Sequence, residues 1–249
     1  MKIIVCVKEV AVVGDEIEID GIDIDRDYVD LAINEWDATA VEQAVAMREA
    51  AGSGEVVVVT VGDEGAEDTM RRALAMGGDR GIRLEALEGD HADPVGVAAR
   101  IAGVIRAEQA DFVLVGTQSA DAAHGATGAA LAGHLGWPCA AVVREMDAPT
   151  GGRAIVGREL DGGVIARTDI ALPAVLTIQT GLNQPRYATL RQIKQAADKE
   201  IRTEVAAESS QHARITAMRV PVSVGGATML GDDPAAVASR IAQLIEEAR

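Results

Sequence analysis

The chain has 249 residues and a formal charge of −16, from 23 basic and 39 acidic side chains. It is 48% hydrophobic and 25% charged, enough for a sizeable core, which excludes disorder throughout. The acidic balance argues against non-specific nucleic-acid binding and adsorption to anionic membranes, and an aromatic content of 2% argues against a cofactor cage of stacked rings.

In chain order, residues 2–8, KIIVCVK, read as a buried strand. Across the acidic stretch 14–30 the isoleucines alternate at Ile17, Ile19, Ile22 and Ile24, as in a short hairpin or an extended surface excursion. A helical pattern runs from Thr39 to Ala50, with Val41, Ala44, Val45 and Met47 on its apolar side and Gly52 and Gly54 as stops. Residues 55–61, EVVVVTV, form a continuous β-branched run that needs cover on both faces, as in a parallel sheet. A helix at 64–76, a strand at 81–87, a helix at 95–109 behind Pro94, a strand at 111–116, a helix at 126–135 and a strand at 139–145 follow. This alternation predicts an α/β fold with a doubly wound, mostly parallel sheet and helices on both faces.

Near Asp147 the pattern changes. Pro149, Gly151 and Gly152 mark a turn, and 153–160 pairs with 164–170 across Asp161–Gly163 as an added antiparallel hairpin. Residues 173–179 return to a buried strand. Residues 203–220 are mixed and polar and suit an arm. A last helix runs from Asp233–Pro234 through Glu247, with Val237, Ile241, Leu244 and Ile245 in one stripe that needs a covering surface. The expected division is a nucleotide-binding α/β domain over 1–202 and a C-terminal arm with helix over 203–249.

Two cysteines, Cys6 and Cys139, are too few for an iron–sulfur cluster or a thiolate zinc site; both fall in apolar runs, where a reduced core thiol is the ordinary state. His91, His124, His134 and His212 lack metal-ligand spacing. The opening MKIIVCVKE is too short for a signal peptide and no segment resembles a spanning helix, so a soluble chain in a reducing compartment, without membrane insertion, is expected. The acidic series Asp20, Asp23, Asp25 and Asp27 lacks the spacing of a calcium loop and reads as a solvated face.

The most informative stretch is GTQSADAAHGATG, residues 116–128, between a strand end and a helix start. Backbone N–H groups near Gly125, Ala126, Thr127 and Gly128 could receive a phosphate, and Gln118, Ser119 and Asp121 could meet a ribose or base edge; the bland reading is a polar cap and turn. Asn34 of NEWD could cap the next helix, with Asp37 near its positive end, while Trp36 is a core anchor or a ligand-facing or interface wall. At Val61–Gly62–Asp63 the glycine permits close approach of a ligand, or makes a plain strand-to-helix turn. In LNQPRYATLRQIKQAADK, residues 182–199, Leu190 is a docking anchor or packs with Ile193 in one helical turn. Arg186, Arg191, Lys194 and Lys199 make this a basic island that suits an acidic partner. Ser119, His124 and Asp121 have the residue types of a triad, but lie too close in one loop for its geometry.

Taken together, KIIVCVK, NEWDATAVEQA, VVTVGDEG, ALAMGGDRGIRL, GTQSADAAHGATG with LGWP, GRELDGG and LPAVLTIQTGLNQPRYATLRQIKQAADK resemble, in order and over essentially the whole chain, the beta subunit of electron transfer flavoproteins. LNQPRYATL is the most specific part, and the tail from GGATMLGDDP resembles the family's C-terminal arm and helix. The resemblance implies an electron carrier subunit without catalytic residues of its own, in a cytoplasmic heterodimer whose alpha subunit holds the redox FAD while the beta subunit holds a structural AMP. Carried onto this chain, the AMP contacts fall at Cys6, at Asn34, Glu35, Trp36 and Asp37, at Val61, and at Gly116, Thr117, Gln118, Ser119, Ala120, Asp121, Ala122, Ala123, His124, Gly125, Ala126 and Thr127. Cys6 and Val61 contribute backbone and shape, Gly125 to Thr127 surround the phosphate, and Trp36 matches an aromatic position near the flavin. Val13 stands where some relatives have Tyr, and DAAHGAT replaces a loop richer in Asn, Gln and Thr, with fewer side-chain hydrogen bonds.

Leu190 matches the leucine that the family inserts into a partner dehydrogenase, flanked here by the docking residues Arg186, Tyr187, Arg191, Ile193 and Lys194. RQIKQAADKEI in place of a lysine-rich loop implies a different partner set, closer to the branch serving amine dehydrogenases than to fatty-acid oxidation. Electrons would pass from that flavin-containing dehydrogenase to a downstream acceptor. The alternatives are a beta subunit that itself binds FAD for electron bifurcation, and a stand-alone adenine-nucleotide-binding protein of the stress type.

Overall fold

A computed structural model describes residues 1–14, 17–25, 29–86, 93–205, 212–221 and 226–248. Met1–Met218 and Arg219–Arg249 are two compact units. In the first, the strands β1 (Lys2–Cys6), β6 (Glu55–Gly62), β7 (Arg80–Glu85), β8 (Phe112–Gly116), β9 (Cys139–Met146), β12 (Ala174–Ile178) and β13 (Ile201–Glu204) lie parallel in one sheet. The hairpin of β10 (Arg153–Leu160) and β11 (Val164–Ala171) extends it antiparallel, giving nine strands in the order β11-β10-β9-β12-β8-β1-β6-β7-β13. Two small antiparallel pairs stand apart: β2 (Glu9–Val12) with β5 (Asp30–Ile33), and β3 (Ile19–Asp20) with β4 (Asp23–Ile24). The second is the hairpin expected from the isoleucine alternation.

Strand alternation divides the core into two layers. Ile3, Val5, Val56, Val58, Phe112 and Leu114 face α1 (Glu35–Ala51) and α2 (Ala66–Met76). Ile4, Cys6, Val57, Val59, Val113 and Val115 face α3 (Pro94–Glu108) and α4 (Thr127–Leu135). With both faces covered, the inner strands carry no polar side, so their sequence reads as unbroken β-branched runs. At the N-terminal ends of the strands Glu108 takes ion pairs from Lys2, Arg80 and Arg202, and the Arg80 hydrogen bond holds its carboxyl down to about 2. The C-terminal ends stay open.

Several expectations shift. Helix α1 starts at Glu35, one turn before Thr39, because Trp36 and Asp37 break the apolar period while serving the C-terminal edge of the sheet. The strand expected at 81–87 runs Arg80–Glu85, and residue 87 lies outside the described set, as do Asp27 and His91. Thr203 and Glu204, read as arm, complete β13 beside β7. Cys6 is buried but Cys139 is exposed, because it opens β9 at the end where Pro138 enters the sheet rather than inside its apolar run.

In the second unit, α6 (Pro234–Glu247) is capped by Asp233, whose carboxylate accepts the Ala236 N–H at 3.1 Å. None of its residues is buried, and Ile241, Leu244 and Ile245 are exposed. No described helix is long and apolar enough to cross a membrane.

Candidate nucleotide pocket and docking face

The C-terminal ends of β1, β6 and β8 open onto a cavity of about 660 Å³. That is within the usual range for a small-molecule site, and on the side where open α/β sheets bind ligands. Two buried residues at the start of α1 shape it. Asn34 precedes the helix but does not cap it with its side chain. Instead its Nδ2 donates to the Gln118 carbonyl at 2.8 Å and its Oδ1 accepts the Ala120 N–H at 3.2 Å, so one amide holds both sides of the loop. Asp37 accepts the Gly116 N–H at 2.9 Å and the Lys8 N–H at 2.8 Å, which ties the chain leaving β1 to the end of β8. Gly116 has no room for a side chain: a Cβ would lie 2.3 Å from Asp37 Oδ1 and 2.8 Å from Trp36 Cβ.

Burial pushes the Asp37 carboxyl up to about 7, against the two N–H groups that favour its charge. A folded value above the unfolded one stabilises the protein fully below the unfolded pKa, and that contribution is lost as pH rises through the folded value. Asp37→Asn keeps the shape, removes the titration and loses one acceptor, a cost of about 1–3 kcal/mol. The stability advantage of wild type over this variant, measured by urea unfolding, should be largest at and below about pH 4, shrink steadily above it and level off near pH 8. A pH-independent difference would refute it.

Beyond Gly116 the loop is held by Lys8, whose Nζ donates to Asp121 Oδ1 at 2.7 Å and Ser119 Oγ at 3.4 Å. The lysine therefore occupies the two groups a triad would need, while His124 is exposed. Gly125 takes a left-handed φ of 60° just before α4. No side chain caps α4, and its first turn lies next to Gly125, Ala126 and Thr127 in the cavity wall. Gly62 also lines the cavity, but its lack of a side chain serves packing: a Cβ would sit 2.5 Å from Ala66 Cβ.

The second feature lies on α5 (Leu190–Ala197), opened by a capping box between Thr189 and Gln192. Tyr187, Leu190 and Ile193 are 94%, 79% and 52% exposed, which excludes the packed-turn reading of Leu190 and Ile193. The segment beneath them is fixed. The Arg186 guanidinium donates to both oxygens of Glu42 (2.7 and 2.9 Å) and to Glu49 (2.8 and 3.1 Å) on α1. Arg71 of α2 donates to the Ala196 and Lys199 carbonyls at the end of α5, and Lys199 donates to the Leu74 and Gly78 carbonyls at the end of α2. The two helices thus cap each other. The basic island expected over 186–199 is correspondingly smaller, because Arg186 and Lys199 are engaged inside the protein and Arg191 and Lys194 are its exposed charges.

Comparison with known proteins shows the family. Residues 22–209 match the electron transfer flavoprotein domain. The electron transfer flavoprotein subunit beta of Methylophilus methylotrophus is 40% identical, over 99% of this chain and 98% of that one. The chain belongs to the electron transfer flavoprotein beta-subunit family. The subunit beta of Syntrophomonas wolfei is 32% identical over 98% of this chain and 95% of its own, and that of Homo sapiens 36% over 81% and 80%.

In this family member, most residues singled out for the nucleotide converge. Cys6, Asn34, Asp37, Val61, Gly116 to Ser119, Asp121, Ala122 and His124 to Thr127 line the cavity. Glu35, Trp36, Ala120 and Ala123 do not; Trp36 is half-buried and its indole N–H donates to Gln179 Oε1 at 2.7 Å, and Ala120 is held by Asn34 instead. Lys8, Pro94, Val97, Ile101, Ala213, Arg214, Ile215 and Met218 are among the further wall residues that were not singled out. Lys8 was within reach, since it follows a strand that ends on the ligand side. Among the described residues no group of three or more His, Cys, Asp or Glu is placed to hold a metal ion.

Proposed function

We propose that the chain is the beta subunit of a cytoplasmic electron transfer flavoprotein heterodimer, binding AMP as a structural nucleotide in the cavity at β1, β6 and β8. The observation that carries this is the loop from Gly116 to Thr127, which runs from the end of β8 to an α-helix start without a side-chain cap. The residues present fit a mononucleotide. Backbone N–H groups at Gly125 to Thr127 suit the phosphate, Thr117, Gln118 and Ser119 suit the ribose, and the apolar wall around Val97 and Ile101 suits the base.

FAD, held mainly by the alpha subunit, supplies the redox chemistry when bound. On this chain Trp36, fixed by Gln179, is the residue that would wall it. The α/β part would hold the nucleotide and the docking segment, and the C-terminal arm and helix, expected from residue 203 but starting after β13, would pack on the alpha subunit, whose surface would cover Ile241, Leu244 and Ile245. Leu190, with Tyr187, Ile193, Arg191 and Lys194 around it and Arg186 anchoring it, would enter a flavin-containing dehydrogenase, of the amine-oxidising kind by its loop sequence. Electrons then leave for a downstream acceptor.

Cofactor extraction from the purified heterodimer tests the assignment. One FAD and one AMP per heterodimer are expected. Two flavins and no AMP would replace it with the bifurcating type, and a stable homodimer lacking an alpha subunit would overturn it in favour of a stand-alone nucleotide binder.

A further inference from the structure

We propose that the segment 212–218 is a strap over the nucleotide pocket and that Arg214 is its phosphate-reading residue. The inference rests on the assignment of AMP to the pocket. The segment is mixed in composition and non-repetitive, yet Ala213, Arg214, Ile215 and Met218 line the same cavity as the loop from Gly116 to Thr127. Ile215 and Met218 are the half-buried residues of the strap, three apart, while their neighbours are exposed. The strap is tethered at its start: the His212 N–H donates to Asp93 Oδ2 at 2.7 Å, and Asp93 Oδ1 accepts the Gly96 N–H at 2.9 Å as the cap of α3. One buried carboxylate therefore serves both the helix and the strap.

Charge singles out Arg214. Glu9, Asp23, Asp63 and Asp121 bring acid groups to the cavity wall, against the cations Lys8 and Arg214 and the His124 ring. Lys8 is committed to Asp121. Among the described residues Arg214 makes no ion pair. A doubly charged phosphate entering an acidic pocket is repelled unless a cation meets it, and a helix N-terminus supplies only about half a charge. Guanidinium is suited to that task because its forked donors match phosphate oxygens. Arg214 is exposed before a ligand arrives, so its side chain can reach inward without breaking a contact.

The test uses the heterodimer stripped of nucleotide, titrated with AMP and with adenosine by calorimetry. Arg214→Gln should weaken AMP about ten- to a hundredfold, one charge-assisted contact, and leave adenosine unchanged. Arg214→Lys should recover part of the loss. Equal weakening of both ligands, or of neither, overturns the role of Arg214 while leaving the nucleotide assignment standing. Wild-type protein that fails to take up AMP overturns both.

Discussion

Leu190→Ala should slow electron transfer from the cognate dehydrogenase while leaving AMP content and heterodimer assembly intact. Fully burying a leucine stabilises an interface by about 1.5–3 kcal/mol. Losing that contact corresponds to a roughly ten- to hundredfold weaker productive encounter. The side chain is 79% exposed, so its removal opens no cavity in the free protein, and thermal stability should stay within about 0.5 kcal/mol of wild type. Stopped-flow reduction at subsaturating protein reads the rate, and a thermal melt reads the fold. An unchanged rate would remove Leu190 from the interface. A lowered melting temperature alongside a lowered rate would mean that the residue supports α5 rather than the partner.

Gly116→Ala is expected to be the most damaging single-methyl change in the pocket. The added Cβ falls 2.3 Å from Asp37 Oδ1, 2.8 Å from Trp36 Cβ and 3.2 Å from Asn34 Nδ2. None of the three can yield cheaply: Asp37 holds two backbone N–H groups, Trp36 is tied to Gln179, and Asn34 grips the loop. Overpacking costs about 1–3 kcal/mol and an orphaned polar group a similar amount. A loss of about 3 kcal/mol lowers the melting temperature by roughly 10 °C in a chain of this size. AMP should be lost on purification, since the same displacement moves the Gln118–Ala120 backbone. Gly133→Ala is the control. It lies within α4 with no atom near its Cβ position, and should be neutral or stabilising by up to about 1 kcal/mol. If both variants melt like wild type, the close contact at Gly116 does not exist in solution.

The legibility of this protein followed from where each signal resides. The parallel sheet was readable because Val56 to Val59 are covered from both sides, which leaves no polar alternation in the sequence. The loop from Gly116 to Thr127 was readable as a cavity wall because small residues cluster where a strand hands over to a helix. The start of α1 was not: Asn34, Trp36 and Asp37 obey long-range partners just after β1, at the end of β8 and in its loop, and just after β12, and no local period records that. Asn34 looks like a helix cap and instead holds a loop 84 residues away. Arg186 and Lys199 look like surface charge because sequence shows a cation and not its acceptor. Their acceptors, Glu42 and the carbonyls at the end of α2, are more than a hundred residues distant. The strap at 212–218 carries no repeat and no hydrophobic run, so only its position over the cavity reveals it.

The mutual capping of α2 and α5 has a kinetic meaning. A surface segment that orders only on contact loses conformational entropy at the encounter, which weakens binding and can slow it. Here Arg71, Lys199, Arg186 and the Thr189–Gln192 box fix the segment in the free chain. Tyr187, Leu190 and Ile193 are thus held in place before any partner arrives. Changes to those three tips should register in the residence time of the complex, with its rate of formation governed by diffusion and by the charges at Arg191 and Lys194.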